Sequence, residues 1–283
     1  MRRIVSIDGR ITSPEAATIS VYDRGFLYGD AVFETMRTYD GVPCALDAHV
    51  ARLLRSAARL RMKLPFDAAS LAERIVDAFA AGRESPSDDG YARAMLTRGA
   101  APLGLDMDLA TAPSLVILVE PLPPAARYDL GIRAVTVTTL RAADGTDAAG
   151  AKVTSYLASI LALADAKAKG AQEAILVDSA GRVVEGTTSN VFAVKDGIIR
   201  TPGEDVGLLL GITRALLMEA VSVETATLGR ADLYAADELF VTSSVREVIG
   251  VVEIDGRPVG EGTPGPVTRR VHDAYRAHAR ASK

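Results

Sequence analysis

Gln172-Glu-Ala-Ile-Leu-Val-Asp178, Ser179-Ala-Gly-Arg182 and Val183-Val-Glu-Gly-Thr-Thr-Ser-Asn-Val-Phe192 follow one another without a break. The first piece reads as a strand, the second as a turn, and the third as a polar connection entering another strand. Glutamate, glycine, three hydroxyl residues and asparagine are thus set between runs that a sheet would bury. Polar groups packed so densely between buried strands are costly unless paired. Glu185 is therefore a candidate partner for a buried cation; an ordinary polar hairpin connection is the competing reading.

Outward from this stretch the chain is punctuated by Asp-Gly pairs: Asp8-Gly9, Asp40-Gly41, Asp89-Gly90, Asp144-Gly145, Asp196-Gly197 and Asp255-Gly256. Both residues tolerate positive φ, so Asp-Gly between apolar runs marks a hairpin. Four pairs predict hairpins, joining 3–7 to 10–12, 31–39 to 42–46, 190–195 to 198–201 and 250–254 to 257–259. Further strands are expected at 91–97, 114–119, 132–139, 172–178 and 238–243, where β-branched residues cluster. Helical spacing predicts helices over 47–62, with Asp47 as N-cap, and over 68–82, 154–169, 212–222 and 266–280. Antiparallel hairpins with helices in two stretches give an α+β class. Glu120-Pro-Leu-Pro-Pro-Ala-Ala126 has three prolines in seven residues and reads as a linker. It divides the chain into 1–119, a small domain, and 127–283, a larger one.

Composition excludes several classes. The chain has 283 residues, 24% charged and 48% hydrophobic, as expected of a soluble globular protein. The single Cys44 rules out a disulfide framework. Together with only three histidines (His49, His272, His278) it makes a soft-metal site unexpected. A net charge of -4 offers no broad basic field for nucleic acid. No apolar run reaches the ~18 residues of a membrane span, and MRRIVSIDGR lacks a signal core, so a cytoplasmic location is expected.

Six lysines are present, and five have plain explanations. Lys63, Lys167 and Lys169 end predicted helices, where a cation complements the dipole. Lys195 flanks a hairpin turn, and Lys283 ends the sequence. Lys152 lies in the small, uncharged stretch Ala148-Ala-Gly-Ala-Lys-Val-Thr-Ser-Tyr156, just ahead of a predicted helix. A cation gains nothing at that end of a helix, which favours the neutral amine that a Schiff-base lysine needs. A solvated loop lysine is the bland alternative. Three features suit a phosphate: the helix opening Leu209-Leu-Gly-Ile-Thr-Arg214, the strand end Thr242-Ser-Ser-Val245, and the arginine of His49-Val-Ala-Arg52. The Walker pattern and Gly-x-Gly-x-x-Gly are absent.

Taken in order, these segments resemble the fold-type IV, class IV aminotransferases, which use pyridoxal 5′-phosphate. That family includes branched-chain and D-amino-acid transaminases and aminodeoxychorismate lyases. The resemblance runs from Tyr22-Asp-Arg-Gly-Phe-Leu-Tyr-Gly-Asp-Ala-Val-Phe-Glu34 through His49-Val-Ala-Arg-Leu53, Lys152, Glu173-Ala-Ile-Leu-Val-Asp178 and Glu185-Gly-Thr-Thr-Ser-Asn-Val-Phe192. It closes with Gly211-Ile-Thr-Arg214 and Asp237-Glu-Leu-Phe-Val-Thr-Ser-Ser244. It implies a two-domain fold, a homodimer, and amino acids and 2-oxo acids as substrates. It also implies that Lys152 carries the cofactor and shuttles the substrate proton, and that Glu185 faces the pyridine nitrogen. Arg52, the Ile212 and Thr213 backbone, and Ser243 or Ser244 would hold the phosphate. Leu209 would pack on the ring, Tyr156 would bond O3′, and Thr188 and Asn190 would complete the cofactor set.

The resemblance is mixed where it concerns substrate. Thr97-Arg-Gly99 matches the D-amino-acid enzymes, but Leu103-Gly-Leu105 stands where their Arg-x-His carboxylate trap would be. Tyr91-Ala-Arg93 and Phe33-Glu-Thr-Met-Arg37 match the branched-chain pattern, with Thr35 in place of glycine. Residues two apart share a strand face, so Phe33, Thr35 and Arg37 would line one pocket wall and Tyr91 and Arg93 another. Arg98 is a further candidate for the carboxylate, and Tyr28 is expected to reach across a dimer interface. The three arginines Arg37, Arg93 and Arg98 exceed the need of one carboxylate and would admit a dicarboxylate such as 2-oxoglutarate. The implied activity is a transaminase favouring branched-chain L-amino acids. A D-amino-acid transaminase, a lyase and a catalytically silent cofactor-binding homologue are the alternatives.

Overall fold

A computed structural model describes residues 1–124, 126–138 and 150–282 of the chain. Two compact units emerge. One is built from Met1–Pro124 with Ala151–Ser155 and Ser282, the other from the described residues between 126 and 150 with Tyr156–Ala281.

The first unit carries a six-stranded sheet in the order Arg10–Thr12, Ile4–Ile7, Ser114–Pro121, Gly90–Thr97, Ala31–Tyr39, Val42–Pro43. Every pairing in it is antiparallel. Burial alternates along Gly90–Thr97, as period-2 side chains require. Val32, Met36, Ala92, Ala94 and Leu96 face the helices Leu46–Arg59 and Ala68–Gly82, and pack against Leu53, Ile75 and Phe79. The alternate residues Phe33, Thr35, Arg37, Tyr91 and Arg93 are thereby turned to the opposite face.

The second unit is a mixed sheet. Its path runs Glu224–Ala226, Ile198–Pro202, Asn190–Lys195, Glu238–Ser243, Glu247–Ile254, Ile132–Thr138, Glu173–Val177, Val183–Gly186, and Arg257–Pro258 pairs with Glu247–Ile254. The strands Ile132–Thr138 and Glu173–Val177 are parallel, joined through the helix Leu157–Ala168. That helix lays Ala162 and Ala166 against Val135, Ala174 and Leu176. Glu173–Val177 is buried along its whole length, which explains the apolar run that follows Glu173.

The α+β class holds, with several local corrections. The helix expected from Asp47 starts at Leu46 with Ala45 as N-cap, and Asp47 lies in its first turn. The helix expected over 154–169 is Leu157–Ala168. Its predicted start is instead extended backbone, with Val153 bridged to Val32 of the first sheet. Val183–Gly186 is a strand, not a connection. The sheet also takes in Glu120 and Pro121 from the proline-rich stretch, opposite Tyr91 and Gly90. Residue 125 of that stretch, residue 139 of an expected strand, Asp144-Gly145, residues 148 and 149, and Lys283 lie outside the described residues.

Candidate active site

The expected functional residues fall on both units, each of which forms its own cluster. On the first, the register pairs Phe33 with Met95, Thr35 with Arg93 and Arg37 with Tyr91, so these side chains share one sheet face. The Ala151–Ser155 segment lies against the start of the Ala31–Tyr39 strand. The Phe33 N–H donates to the Lys152 carbonyl at 2.9 Å, and the Thr154 N–H to the Ala31 carbonyl at 3.0 Å. The Lys152 N–H donates to Ser56 Oγ at 3.1 Å. Strand pairing, and not the helix end expected from the sequence, therefore fixes this lysine. Its Nζ lies 4.5 Å from the Phe33 ring centroid, and Arg93 Cζ lies 3.7 Å from the same centroid. One aromatic ring thus gathers two cationic side chains. Arg37 takes a different neighbour, with Cζ 4.3 Å from the Tyr39 ring centroid and Nε donating to the Thr38 carbonyl at 3.3 Å.

Behind this face, Glu34 is fully buried between His49 and Arg52. Arg52 donates to both its oxygens, from Nε at 2.6 Å and Nη2 at 2.7 Å. His49 Nδ1 lies 2.7 Å from Glu34 Oε2. Burial pushes the Glu34 carboxyl up, but hydrogen bonds from Arg52 and His49 outweigh it and hold the group at about 2. Burial pushes the His49 imidazole down despite its carboxylate partner, so it serves as a neutral N–H donor. Arg52, expected to grip a phosphate, is held in the bidentate geometry that fixes a guanidinium plane.

Arg98, the further candidate for the carboxylate, is engaged with groups of its own unit. It donates to Asp30 Oδ2 at 2.7 Å, Asp30 Oδ1 at 2.9 Å and the Leu60 carbonyl at 2.7 Å. It is a buried clamp on the end of the Leu46–Arg59 helix. Tyr28 accepts the Gly104 N–H on its hydroxyl at 3.2 Å. Arg24, beneath the same ring, donates to the Gly104 carbonyl at 2.7 Å.

On the second unit, Glu185 sits on Val183–Gly186 opposite Leu176. Its buried carboxylate accepts the Leu209 N–H at 2.9 Å, while Asn190 Nδ2 donates to the Leu209 carbonyl at 2.9 Å. Leu209 is thus gripped at both backbone groups. Gly211 follows as N-cap of the helix Ile212–Ala220, with no side-chain cap on its amides. A Cβ on Gly211 would stand 2.0 Å from Asn190 Oδ1, so glycine is needed for this close approach. Ile212 and Thr213 open the helix, and their amides present the positive end of its dipole. Thr242, opposite Asn190, is buried, and its Oγ1 has no partner among the described residues. Ser243 and Ser244 come next and are half-buried. The Arg246 guanidinium donates to Thr188 Oγ1 at 3.3 Å, and its backbone N–H to Ser243 Oγ at 3.4 Å. Glu185, Asn190, Leu209, Ile212 and Thr213 are therefore contiguous, and Arg246 ties Thr188 to Ser243. Tyr156 is the half-buried N-cap of Leu157–Ala168.

Sequence reasoning overlooked Glu173 and Arg246. The hint was a carboxylate in an otherwise apolar strand, which must find a cation or several donors when buried. Among the described residues no cluster of His, Cys, Asp and Glu could hold a metal ion.

Comparison with known proteins places the chain in a family. The family model for amino-transferase class IV matches residues 31–254. A putative branched-chain-amino-acid aminotransferase of Methanocaldococcus jannaschii is 36% identical over 277 residues, covering 96% of this chain and 95% of that protein. The D-alanine aminotransferase of Bacillus licheniformis is 32% identical over 276 residues, covering 95% of each. Among solved structures, the branched-chain aminotransferase of the thermophilic archaeon Thermoproteus uzoniensis, determined with norvaline, superposes with a TM-score of 0.89 at 30% identity. That match covers 99% of this chain and 95% of the other.

Proposed function

Because the chain belongs to the class IV aminotransferase family, we propose that this transaminase moves the amino group of branched-chain L-amino acids to a 2-oxo acid such as 2-oxoglutarate. It is an enzyme that works with pyridoxal 5′-phosphate. When bound, that cofactor supplies an aldehyde to take up the amino group and a ring that, protonated, withdraws electrons from the substrate Cα.

The residues present suit such a group. A primary amine is required, and Lys152 offers one beside Phe33. An anion is required for the ring nitrogen, and Glu185 is a buried carboxylate oriented by the Leu209 amide. A phosphate needs donors, and the uncapped helix start at Ile212, the Thr242 Oγ1, without a partner among the described residues, and the Ser243–Ser244 hydroxyls provide them. In this reading Lys152 accepts and returns the Cα proton, Glu185 keeps a proton on the ring nitrogen, and Arg52 adds a charge oriented by Glu34. Leu209 and Tyr156 bound the ring, with Thr188 and Asn190 supporting the second-unit cluster.

One observation carries the substrate reading. Arg93 lies over the same Phe33 ring as the Lys152 amine, so a substrate amine near Lys152 would bring its carboxylate toward a guanidinium. Tyr91 shares that strand face with Arg93 and Thr35. Leu103 and Leu105, at the position of the D-enzyme trap, are 70% and 80% exposed and carry neither charge nor donor. The similarity to a D-alanine aminotransferase favours a second reading, in which D-amino acids are donors.

A screen of L- and D-amino acids against 2-oxoglutarate and pyruvate decides between them. L-leucine with 2-oxoglutarate should outrun D-alanine with pyruvate; the reverse order overturns the branched-chain reading. Borohydride reduction should join the cofactor to Lys152, and labelling of Lys195 or Lys167 instead would refute its role. No helix among the described residues is long and apolar enough to cross a membrane. A cytoplasmic location is part of the proposal, supported by the lone cysteine.

A further inference from the structure

Glu173 takes no part in the roles assigned so far, yet its carboxylate is among the most heavily bonded groups of the second unit. It stands at the start of Glu173–Val177 and is 1% exposed. Oε1 accepts the Thr187 N–H at 3.0 Å, the Thr187 hydroxyl at 2.5 Å and the Ala174 N–H at 3.1 Å. Oε2 accepts the Ser189 hydroxyl at 3.0 Å and Arg246 Nη2 at 2.5 Å. The Gly186 N–H donates to the Ser189 carbonyl at 2.7 Å and closes the turn around it. A Cβ on Gly186 would stand 2.1 Å from Ser189 Oγ and 3.2 Å from Glu173 Cδ. The turn after Glu185 is therefore wound on the Glu173 carboxylate with no room to spare.

Arg246 carries the connection further. Its Nη2 reaches Glu173 and Thr188 Oγ1, and its backbone N–H reaches Ser243 Oγ. One carboxylate thereby joins the 186–189 turn, which follows Glu185, to the 243–246 turn, which carries the serine hydroxyls. Burial pushes the Glu173 carboxyl up, but the Arg246 charge and the hydroxyl and amide donors outweigh it and keep it ionised. A buried charge with several directed donors holds one geometry and resists rotation.

We infer that Glu173 is a positioning residue, whose carboxylate, through Thr187, Ser189 and Arg246, sets the Glu185 carboxylate and the Ser243–Ser244 hydroxyls in one frame for binding the cofactor's ring nitrogen and phosphate. This rests on the reading of the second-unit cluster as the cofactor cradle. Glu173 touches neither cofactor nor substrate in this role; it acts through the turns it ties. Glutamine at the position keeps the shape but replaces one acceptor oxygen with a donating amide, which can take no hydrogen bond from Arg246 or Ser189.

The test uses the full chain, stripped of cofactor and titrated with pyridoxal 5′-phosphate. Glu173→Gln should bind it at least about tenfold more weakly, equivalent to about 1.4 kcal/mol. The pH midpoint of the bound cofactor's visible absorbance should move, because Glu185 no longer meets the ring nitrogen in the same pose. A residue that only stabilised the fold would leave that midpoint in place. Arg246→Met, at a partly exposed position, should shift both quantities in the same direction. The double variant should lose less than the sum of the singles, since both remove the Glu173–Arg246 contact. Affinities within about twofold of wild type with an unmoved midpoint would overturn the inference, as would strictly additive losses. If Glu173→Gln fails to fold, Arg246→Met alone decides by the same two readouts. Wild-type protein that takes up no cofactor would refute the cradle itself; normal wild-type uptake with indifferent variants would refute only the role of Glu173.

Discussion

Arg93 lies with its guanidinium over the Phe33 ring, whereas Arg98 is held by both oxygens of Asp30 and by the Leu60 carbonyl. Their replacements should fail differently. Arg93→Leu should lower kcat/KM for L-leucine at least tenfold, about 1.4 kcal/mol in barrier, with the fold intact. Arg98→Leu should lower stability by about 1–3 kcal/mol, because the Asp30 carboxylate loses the partner that bonds both its oxygens and keeps only Arg24, and its folded fraction should turn over normally. Urea titrations and steady-state kinetics on both variants check this; a stable, inactive Arg98→Leu would reverse the assignment. Glu34 gives a pH signature. Its carboxyl falls from an ordinary 4.5 to about 2 on folding, so its contribution is present above 4.5 and is lost as pH drops towards 2. The linkage amounts to about 3 kcal/mol. His49, kept neutral by burial, adds an earlier loss as pH falls below its ordinary 6.5, where only the unfolded chain takes up the proton. Glu34→Gln should flatten the lower limb of the urea midpoint against pH, and an unchanged limb would disprove the linkage. Arg98 was illegible in sequence because Asp30 lies far back in the chain. Lys152 stands out in the sequence because every other lysine has a plain reason to be where it is, but the strand pairing that holds it is long-range and leaves no local signal.

The hairpins were written in the sequence. Asp8, Asp40, Asp196 and Asp255 all have φ near +50°, and the glycines after them are also positive, as such turns require. Asp89-Gly90 follows the same lettering but forms no hairpin; its carboxylate instead accepts from the Thr38 hydroxyl and the Gly41 N–H. The start of Leu157–Ala168 was misplaced because residues 151–155 give up helix for pairing with Ala31–Tyr39, a long-range choice that local spacing does not record. Val183–Gly186 was misread because its glutamate finds its partner at Leu209, outside any local pattern. The start of Ile212–Ala220 offers a test at this scale. Gly211→Ala would drive a methyl into Asn190 Oδ1, displacing the amide that holds Leu209. Overpacking of this kind costs about 1–3 kcal/mol. Thermal unfolding should show the loss, and adding Asn190→Ala should recover part of it; no recovery would mean that the clash is not with Asn190.

At the scale of the whole molecule, the first unit leaves Val21, Phe26, Leu103 and Leu105 exposed. Arg24 and Tyr28 pin the Arg24–Tyr28 helix to the Gly104 backbone, so Phe26 and Leu103 belong to neighbouring, fixed segments. Large apolar side chains held in the open mark association surfaces, and we propose that two copies of the chain meet there. Sedimentation at assay concentration should give twice the chain mass, and Phe26→Glu with Leu105→Glu should return it to one; a fully active monomer would refute the dimer. The chain's own course through its two units has a further consequence. Ala151–Ser155 completes the first unit although residues 126–138, which precede it, belong to the second. During synthesis the strands Ala31–Tyr39 and Gly90–Thr97 leave the ribosome well before Lys152 does. Until it arrives, the Ala31 carbonyl and the Phe33 amide await their partners. The newborn chain thus builds the aromatic wall first and receives the Lys152 segment last, into a place already shaped for it.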